Sequence, residues 1–362
     1  MSSKIQVGVL GATGMVGQNY VRLLEDHPWF EVTYVAASPQ SAGKTYAKAV
    51  EGRWHMKSDI PEFVENLVVE DAGNIKAALG KCSFVFSALE MGKEETAKLE
   101  EDYAKNEIPV VSNASAHRGT CNVPMLIPEI NADHAHIIKE QRKAYGTRIG
   151  FIAVKPNCSL QSYLTPVYAL ISKGYNVDRI FVTTLQAVSG AGYPGVASLD
   201  MIDNIVPYIK GEEEKTEEEP LKILGKIEHD FIEASHTIAI SATCTRVPVL
   251  DGHMACVSLG FSSDPPSLDD IIRIWNRFRS VPQELGLPSA PDWPIIYREE
   301  FDRPQPRKDR DAENGMAVTV GRLRECSVLD VKFVGLSHNT VRGAAGGGIL
   351  NAELLKEFGY LE

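Results

Sequence analysis

Residues 5–24 read IQVGVL-GATGMVG-QNYVRLL, and they set the architecture of the first half of the chain. The first six residues, apolar except for Gln6, predict a short buried strand, and the seven that follow predict a glycine-rich turn. Beyond the turn, Tyr20, Leu23 and Leu24 stand at helical spacing. This order places the amino terminus of a helix where it can receive a pyrophosphate. The stretch therefore predicts the start of a Rossmann-type dinucleotide-binding domain.

The glycines of this turn have separate predicted roles. Gly11 permits the tight turn, Gly14 lets a phosphate approach the backbone, and Gly17 allows close packing of helix on strand. Their spacing is G-x-x-G-x-x-G, which departs from the usual G-x-G-x-x-G, so a glycine turn without a ligand is the alternative. The other residues of the turn predicted to contact the cofactor are Thr13, Met15 and Val16.

Further strand patterns follow at residues 32–38, 82–89 and 109–115, with helical patterns such as 94–106 between them. Alternating strands and helices predict a parallel sheet with right-handed crossovers. Beyond about residue 156, longer strand-like runs separated by long loops predict a mixed or antiparallel sheet.

The predicted fold class is therefore α/β, with two domains. A Rossmann-type NADP-binding domain spans 1–156 and is completed by a C-terminal helix within 341–362. An α+β catalytic and dimerisation domain with a mixed sheet spans 157–340. A length of 362 residues fits two domains.

Composition narrows the class of protein. The chain is 44% hydrophobic, 23% charged and carries a net charge of −11, so nucleic acid and anionic membranes are not expected as partners. No apolar stretch approaches the roughly 18 residues needed to span a bilayer. Residues 1–4 lead almost directly into the first strand, which predicts no signal or transit peptide and a cytoplasmic location. The six cysteines show no spacing typical of a metal site, so we expect reduced thiols and no metal.

The second strand pattern bears on which dinucleotide binds. It ends in Ala36-Ala37-Ser38, so no carboxylate stands where it would repel a 2′-phosphate. Ser38 and Ser41 can donate hydrogen bonds to such a phosphate, and Lys44 can supply charge. We predict NADP as the cofactor; the alternative is an ordinary solvated Ser/Lys loop.

The segment 155–162, KPNCSLQS, follows the apolar run GFIAV and precedes a helical pattern. Cys158 is therefore predicted at or near a helix amino terminus, where the helix dipole lowers the pKa of a thiol. This makes Cys158 the candidate nucleophile, against the alternative of a small buried apolar residue.

A second candidate lies in RVPVLDGH, residues 246–253. An Asp-Gly turn places His253 at the start of a strand, and a histidine can carry the proton that thiol chemistry requires. A packed or solvent-facing histidine is the alternative. The acidic run GEEEKTEEEP at 211–220 is predicted to be an exposed loop.

Six motifs occur in matching order along nearly the whole chain. They are GATGMVG, SNASAHR, KPNCSLQS, LQAVSGAG, RVPVLDGH and NTVRGAAGGGILNAELL. Together they closely resemble the aspartate-semialdehyde dehydrogenases, especially the fungal and archaeal branch. The resemblance implies NADPH-dependent reduction of L-4-aspartyl phosphate to L-aspartate 4-semialdehyde through a cysteinyl thioester. The product feeds threonine, methionine and, in some organisms, lysine synthesis.

The resemblance also implies roles for individual residues. Cys158 resembles the nucleophile, His253 the general acid/base, Gln186 the glutamine that orients the substrate, and Arg246 the arginine that binds its α-carboxylate. Arg118 and Lys222, with Asn113, resemble the phosphate-binding residues, and Glu219 the carboxylate that binds the substrate ammonium. Glu219 ends the acidic run, whose usual meaning is a solvated loop, and the match between 200 and 225 is the least secure. Further residues implied at the cofactor are Ser87, Ser189, Gly190, Asn339, Thr340 and Gly343.

Other acyl reductases of this design remain alternatives, namely N-acetyl-γ-glutamyl-phosphate reductase and a CoA-dependent relative such as malonyl-CoA reductase. Arg118, Lys222 and Arg246 favour the aspartyl substrate over these. A non-catalytic NADP-binding protein is a further alternative, although Cys158, His253 and Arg246 are present together. The resemblance implies a homodimer or homotetramer, and nothing in the sequence separates these two states.

Overall fold

The computed structural model describes residues 4–362, so Met1–Ser3 of the predicted first domain lie outside the described residues. Two six-stranded sheets and a small hairpin organise the described part of the chain. The strands are β1 Ile5–Leu10, β2 Phe30–Ala37, β3 Val69–Asp71, β4 Phe84–Ser87, β5 Val110–Ser112, β6 Ile152–Val154, β7 Val177–Gln186, β8 Lys226–Glu228, β9 Phe231–Glu233, β10 Ala239–Arg246, β11 His253–Phe261, β12 Ile295–Arg298, β13 Val318–Glu325 and β14 Val331–Ser337.

Helices cover the faces of the sheets and connect their strands. The α-helices are α1 Met15–Leu23, α2 Tyr46–Ala49, α3 Glu62–Glu65, α4 Lys93–Lys105, α5 Pro128–Asn131, α6 Ile138–Tyr145, α7 Leu164–Ile171, α8 Ser198–Met201, α9 Glu212–Ile223, α10 Leu268–Arg277, α11 Val281–Glu284, α12 Pro306–Asp309 and α13 Gly346–Glu357. Short 3-10 turns lie at Ile75–Ala77, Ala132–Ile137, Cys158–Ser162, Val188–Ala191 and Ala312–Gly315, and a π-helical turn lies at Val341–Ala345.

The first sheet is parallel throughout, with strand order β3-β2-β1-β4-β5-β6. This is the strand order of a dinucleotide-binding fold, in which ligands bind at the carboxyl ends of the strands. The central strands are buried on both faces, which explains their continuous apolar sequences. The three-residue strand β3 has too short a pattern to be recognised from sequence.

The second sheet is mixed, with strand order β10-β7-β11-β14-β13-β12. Strand β7 pairs with β10 in parallel and with β11 antiparallel. Along β7, Ile180 and Val182 are buried on the inner face, whereas Phe181 on the outer face is 51% exposed. The sheet therefore has one covered and one bare face, and strand alternation assigns residues to each.

The chain returns to the first domain at its C-terminus. Helix α13 packs on α1 and β5, and Ile349 and Leu355 belong to the apolar core that contains Val7 and Phe84 of the first sheet. The predicted fold class is confirmed, with a Rossmann-type parallel sheet and a second domain built on a mixed sheet. Within residues 4–362, no helix has the length and apolarity needed to cross a bilayer.

Candidate active site

A cavity of about 440 Å³ lies between the carboxyl edge of the first sheet and the second domain. It is lined mainly by polar side chains and glycines from both domains. The lining residues are Met15, Val16, Asn19, Glu90, Asn113, Ser115, Arg118, Asn157, Cys158, Ser189, Gly190, Gly192, Glu212, Lys215, Asn339, Thr340, Gly343 and Ala344. A concave site with convergent polar groups at this edge is where an α/β enzyme binds its ligands.

Cys158 opens the 3-10 turn that follows β6 and is partly exposed to the cavity. Asn157 fixes the start of the turn, because its Oδ1 accepts the backbone N–H of Ser159 at 2.8 Å. On the other side, a Cβ atom added to Gly343 would lie 2.9 Å from the Cβ of Cys158. The backbone of the π-helical turn therefore approaches the cysteine as closely as glycine allows.

His253 is fully buried at the start of β11, and its Nε2 lies 3.3 Å from the Sγ of Cys158. Its other ring nitrogen, Nδ1, accepts the backbone N–H of Ala187 at 3.0 Å. A nitrogen that accepts a hydrogen bond carries no proton, so the neutral ring carries its proton on Nε2, facing the sulfur. The backbone of residue 187 thus selects the tautomer of His253.

The surroundings keep both groups neutral in this structure. Burial and, after it, the neighbouring Arg246 lower the pKa of His253 to about 3. Burial and, after it, the Glu212 carboxylate raise the pKa of the Cys158 thiol to about 11. The sequence-based expectation of a depressed thiol pKa is wrong for this state, because the five-residue 3-10 turn supplies less dipole than burial removes in solvation.

Gln186 and Arg246 end the adjacent strands β7 and β10 and lie behind the cavity lining. Gln186 Nε2 donates to Glu212 Oε2 at 3.3 Å, and Arg246 Nη1 donates to the carbonyl of Ala187 at 2.7 Å. A Cβ atom on Gly190 would lie 3.0 Å from both Arg246 Nη1 and His253 Cε1. The absence of a side chain at Gly190 therefore leaves Arg246 and His253 close to the cavity.

The acidic run is not an exposed loop, as the sequence had suggested, but the helix α9. Four of its residues, at helical spacing, point toward the site: Glu212, Lys215, Thr216 and Glu219. Glu212 and Lys215 line the cavity and pair with each other at 2.9 Å. Burial tends to raise the pKa of Glu212, but Lys215, together with hydrogen bonds from neighbouring side chains, lowers it below its usual value.

Glu219 and Lys222 lie further along α9, outside the cavity lining. Glu219 pairs with Arg118 at 3.0 Å and accepts the backbone N–H of Asn157 at 2.6 Å. Lys222 donates to the carbonyls of residues 118, 120 and 123 at 2.7–2.9 Å. These three bonds use all the donors of an ammonium group. The structure therefore places Glu219 and Lys222 behind the cavity, where they support the segment that carries Arg118.

A second cavity of about 360 Å³ continues along the same edge of the first sheet and shares Glu90 with the first. Its lining includes Gly11, Thr13, Gly14 and Ser38. Gly11 has φ +72°, and a Cβ on Gly17 would lie 2.2 Å from the carbonyl oxygen of Gly11, so the turn cannot accommodate side chains at either position.

Four residues predicted at the cofactor do not line either cavity: Gly17, which packs against the backbone of Gly11, and Ser41, Lys44 and Ser87. Ser41 is buried and accepts a hydrogen bond from Arg53, and Lys44 Nζ donates to the carbonyl of Gln40. Ser87 lies under the sheet edge and donates to the buried carboxyl of Glu100 at 2.6 Å. In this structure Ser38 alone of the predicted 2′-phosphate ligands faces the cavity.

Comparison with known proteins places both halves of the chain in one family. Residues 6–138 match the family model "Semialdehyde dehydrogenase, NAD binding domain", and residues 167–342 match "Semialdehyde dehydrogenase, dimerisation domain". The chain is 45% identical to the aspartate-semialdehyde dehydrogenase of Methanothermobacter thermautotrophicus, over 98% of this chain and 99% of that protein. It is equally similar to the Aspergillus fumigatus enzyme, at 45% identity over 99% of both chains. The chain belongs to the aspartate-semialdehyde dehydrogenase family.

A solved structure of this family extends the agreement to the fold. The Candida albicans aspartate-semialdehyde dehydrogenase, solved with NADP, superposes with a TM-score of 0.89 at 39% identity, covering 99% of this chain and 100% of that one. The likeness runs through both domains. The resemblance of the sequence to the fungal and archaeal members is thereby confirmed.

The sequence analysis did not identify Glu212 and Lys215, the two charged residues that α9 brings to the cavity. The signal in the sequence was the i, i+3, i+4 spacing of Glu212, Lys215 and Thr216, which puts them on one face of a helix. In the structure Thr216 on this face is buried. A uniformly acidic composition concealed that pattern. Within residues 4–362, no cluster of His, Cys, Asp and Glu side chains has the geometry to hold a metal ion.

Proposed function

We propose that this chain reduces L-4-aspartyl phosphate to L-aspartate 4-semialdehyde with NADPH, using Cys158 as the nucleophile. The observation that carries this proposal is the 3.3 Å contact between Cys158 Sγ and His253 Nε2 beside a cavity that also holds Arg118 and Lys215. A thiol, an imidazole and two cations suit acyl transfer from an anionic acyl phosphate.

NADPH fits the second cavity. The positive φ of Gly11, the absence of a side chain at Gly14, which lines the second cavity, and the start of α1 form the cradle that a pyrophosphate needs. We assign the 2′-phosphate to Ser38, with Ser41 and Lys44 next to it in the chain, and the nicotinamide to the side of the first cavity lined by Ser189, Asn339 and Thr340. The cofactor supplies a hydride to the acyl carbon.

Cys158 performs the covalent chemistry. Its thiolate forms an S–C bond with the acyl carbon, the C–O bond to phosphate breaks, and phosphate leaves with the electron pair. After reduction, the S–C bond of the thiohemiacetal breaks with the electron pair on sulfur, its hydroxyl proton returns to His253, the aldehyde is released, and Cys158 is again a thiolate. His253 carries a proton on Nε2 and can donate it to the oxygen that develops charge on the acyl carbon.

We assign the substrate groups to the surrounding side chains by charge. Arg246 has the planar guanidinium that suits the α-carboxylate, and Gln186 orients the substrate next to it. Arg118, Lys215 and Asn113 line the cavity and suit the phosphate. Glu212 lines the same cavity and suits the ammonium. For binding the phosphate, Lys215 is better placed than Lys222, because only Lys215 lines the cavity. For binding the ammonium, Glu212 is better placed than Glu219 for the same reason.

The test is a phosphate-dependent assay in the reverse direction, following NADPH formation from aspartate semialdehyde. We expect turnover by the parent protein and a loss of at least about 10⁴-fold in Cys158→Ala, as for other nucleophiles. Cys121→Ala removes an exposed cysteine and serves as the matched control. A folded parent protein without turnover would reject the aspartyl substrate and direct the assay to N-acetylglutamyl phosphate and acyl-CoA donors.

We also propose that copies of the chain associate through the bare face of the second sheet, as a homodimer or a homotetramer built from such dimers, in the cytoplasm. Phe181 and Cys256 are exposed at the centre of that face, on the neighbouring strands β7 and β11. We expect Phe181→Glu to reduce the mass measured by light scattering, because it buries a charge in the interface. The same change at Phe301, an exposed loop residue, should leave the mass unaltered.

We also propose limits for the two domains. Residues 1–156 and 341–362 are assigned to the cofactor domain and residues 157–340 to the catalytic and dimerisation domain. The matched range 6–138 lies within the cofactor domain, and the matched range 167–342 lies within the second domain except for its last two residues.

A further inference from the structure

A buried lysine lies three residues before the nucleophile. Lys155 follows β6, and its backbone N–H donates to the carbonyl of Ser112 at 2.8 Å. The residue is buried, with 2% of its surface exposed. Its Nζ donates to a single acceptor, the carbonyl of Pro156, at 3.1 Å. Among residues 4–362, no carboxylate lies within 4.0 Å of this ammonium. A buried cation with so few partners calls for a compensating charge.

The nearby carboxylates are already engaged by other groups. Glu219 pairs with Arg118 at 3.0 Å, and Glu129 pairs with Arg342 at 2.8 Å. Glu129 and Arg342 line a cavity of about 10 Å³ that also contacts Lys155. Since both acids have an arginine partner, neither provides the charge that Lys155 lacks.

The ammonium of Lys155 is held next to the turn that carries Cys158, because the carbonyl of Pro156 that accepts from Nζ at 3.1 Å lies two residues before the cysteine. Burial lowers the pKa of Lys155 to about 7, and of the neighbouring groups the thiolate of Cys158 raises it most. In turn, burial and Glu212 raise the pKa of the thiol, and Lys155 is the cation that lowers it most. Each group therefore favours the charged form of the other.

Other ionisable groups act on this pair from each element packed around it. They are Arg118 after β5, Glu129 on α5, Glu212 and Glu219 on α9, Arg246 on β10, His253 on β11 and Arg342 in the π-helical turn. His253 cannot accept the thiol proton while Ala187 donates to its Nδ1, because its Nε2 already carries a proton.

We propose that the Lys155 ammonium is the counter-charge that stabilises the Cys158 thiolate. It touches neither substrate nor cofactor in this assignment and acts through the sulfur, so it is a positioning residue. The proposal deepens the proposed function and rests on Cys158 being the nucleophile. No bond to carbon forms or breaks at Lys155, and the ionised pair differs from the neutral pair only in the position of one proton.

The experiment is the pH dependence of Cys158 alkylation by iodoacetamide, read by peptide mass spectrometry in the full-length protein. Lys155→Met keeps the length of the side chain and removes the charge. We expect its thiol to titrate at higher pH and to react about tenfold more slowly at pH 7.5, which corresponds to one pKa unit. Lys155→Arg keeps a positive charge and should restore part of the rate.

Lys222→Met is the matched control, because it removes a half-buried lysine that lies outside the cavity lining and donates to the carbonyls of residues 118, 120 and 123. We expect it to leave the alkylation profile in place even if it lowers the melting temperature. A Lys155→Met protein that melts like the parent and has the parent's alkylation profile would overturn the proposal. Because turnover is not measured, this result is distinct from failure of the aspartyl assignment.

A reciprocal measurement covers the case in which Lys155→Met does not fold. Coupling between two sites acts equally in both directions. We expect Cys158→Ser to lower the pKa of Lys155. The NMR chemical shift of the labelled Cε carbon of Lys155, recorded against pH, measures this pKa. An unchanged Lys155 titration would show that the two groups are not coupled and would also overturn the proposal.

Discussion

The active-site cavity has two walls of different origin. One consists of strand ends and the turns next to them; it carries Cys158 in the lining, with Gln186 and His253 directly behind it. The other is one face of α9, carrying Glu212 and Lys215. The strand wall is recognisable from sequence because an apolar strand fixes where its last side chain points. The helix wall is not, because its charged residues resemble those of any solvated helix.

The difference shows that charge composition does not indicate which way a charge faces. Residues 212–219 of α9 include six glutamates and one lysine, and nothing in this charged run distinguishes one from another. Only those on one face of the helix reach the site. Residues that bind an anionic substrate are by nature the residues that normally face water. Their assignment therefore depends on helix register, which a continuous charged run does not reveal.

The sharpest test of the helix wall compares Lys215→Met with Lys222→Met. Removing a charge-assisted contact to phosphate costs about 1.5–3 kcal/mol, so we expect kcat/KM for phosphate to fall about 10- to 100-fold in Lys215→Met. Lys222→Met leaves three carbonyls without their donor and should lower stability with little change in the phosphate dependence. Steady-state kinetics at varied phosphate and urea unfolding measure the two effects. The opposite pattern would place the phosphate at Lys222 and reverse the comparison.

The strand wall makes a prediction about stability and pH. The folded pKa of His253, about 3, lies below the ordinary value of 6.5 because of burial and then Arg246. The neutral ring therefore stabilises the fold above pH 6.5, and this contribution is lost as the pH falls toward 3. Between pH 7 and pH 5 the loss is about 2 kcal/mol.

Urea unfolding gives the free energy of unfolding of the parent and of His253→Gln at pH 7 and at pH 5. The difference between the two proteins should shrink by about 2 kcal/mol from pH 7 to pH 5. His236→Gln, which removes an exposed histidine, controls for the loss of a histidine elsewhere. If the difference between parent and His253→Gln stays constant across the range, His253 is not held neutral by its surroundings.

The smallest expected effect links the two walls. Glu212 on the helix raises the pKa of Cys158, second only to burial, so Glu212→Gln should lower that pKa. We expect alkylation of Cys158 to become severalfold faster at neutral pH, while turnover falls because the proposed ammonium ligand is lost. Glu213→Gln, on the adjacent position of the same helix, is the control. Slower alkylation in Glu212→Gln would mean that the carboxylate positions the thiol more than it opposes its ionisation.

Much of the fold follows from local patterns in the sequence. The apolar runs of the first sheet, the glycine turn and the alternating strands of the second sheet all have short-range causes. Cys158 and His253, 95 residues apart, become neighbours only through the pairing of β7 with β11 and the return of β14 beside it. No local pattern contains that contact, and it was anticipated only through resemblance to a family.

The parts that could not be predicted have physical reasons. Ser41 and Lys44 stand in the expected loop, but their side chains turn to Arg53 and to the carbonyl of Gln40. The ionisation of Cys158 depends on burial and on Glu212, which belong to the assembled site. Local sequence sets where a strand or turn begins, whereas solvation and side-chain partners are set by distant segments.

The strands of the second sheet have a further consequence. Gln186, Arg246 and His253 occupy its inner face, while Phe181 and Cys256 occupy the outer face of the same strands. A second copy packed on the outer face would restrain the strands that hold the catalytic groups. We therefore expect specific activity to decrease on dilution below the dissociation constant of the subunits and to recover on concentration, so that rates measured at nanomolar protein underestimate those of the crowded cell.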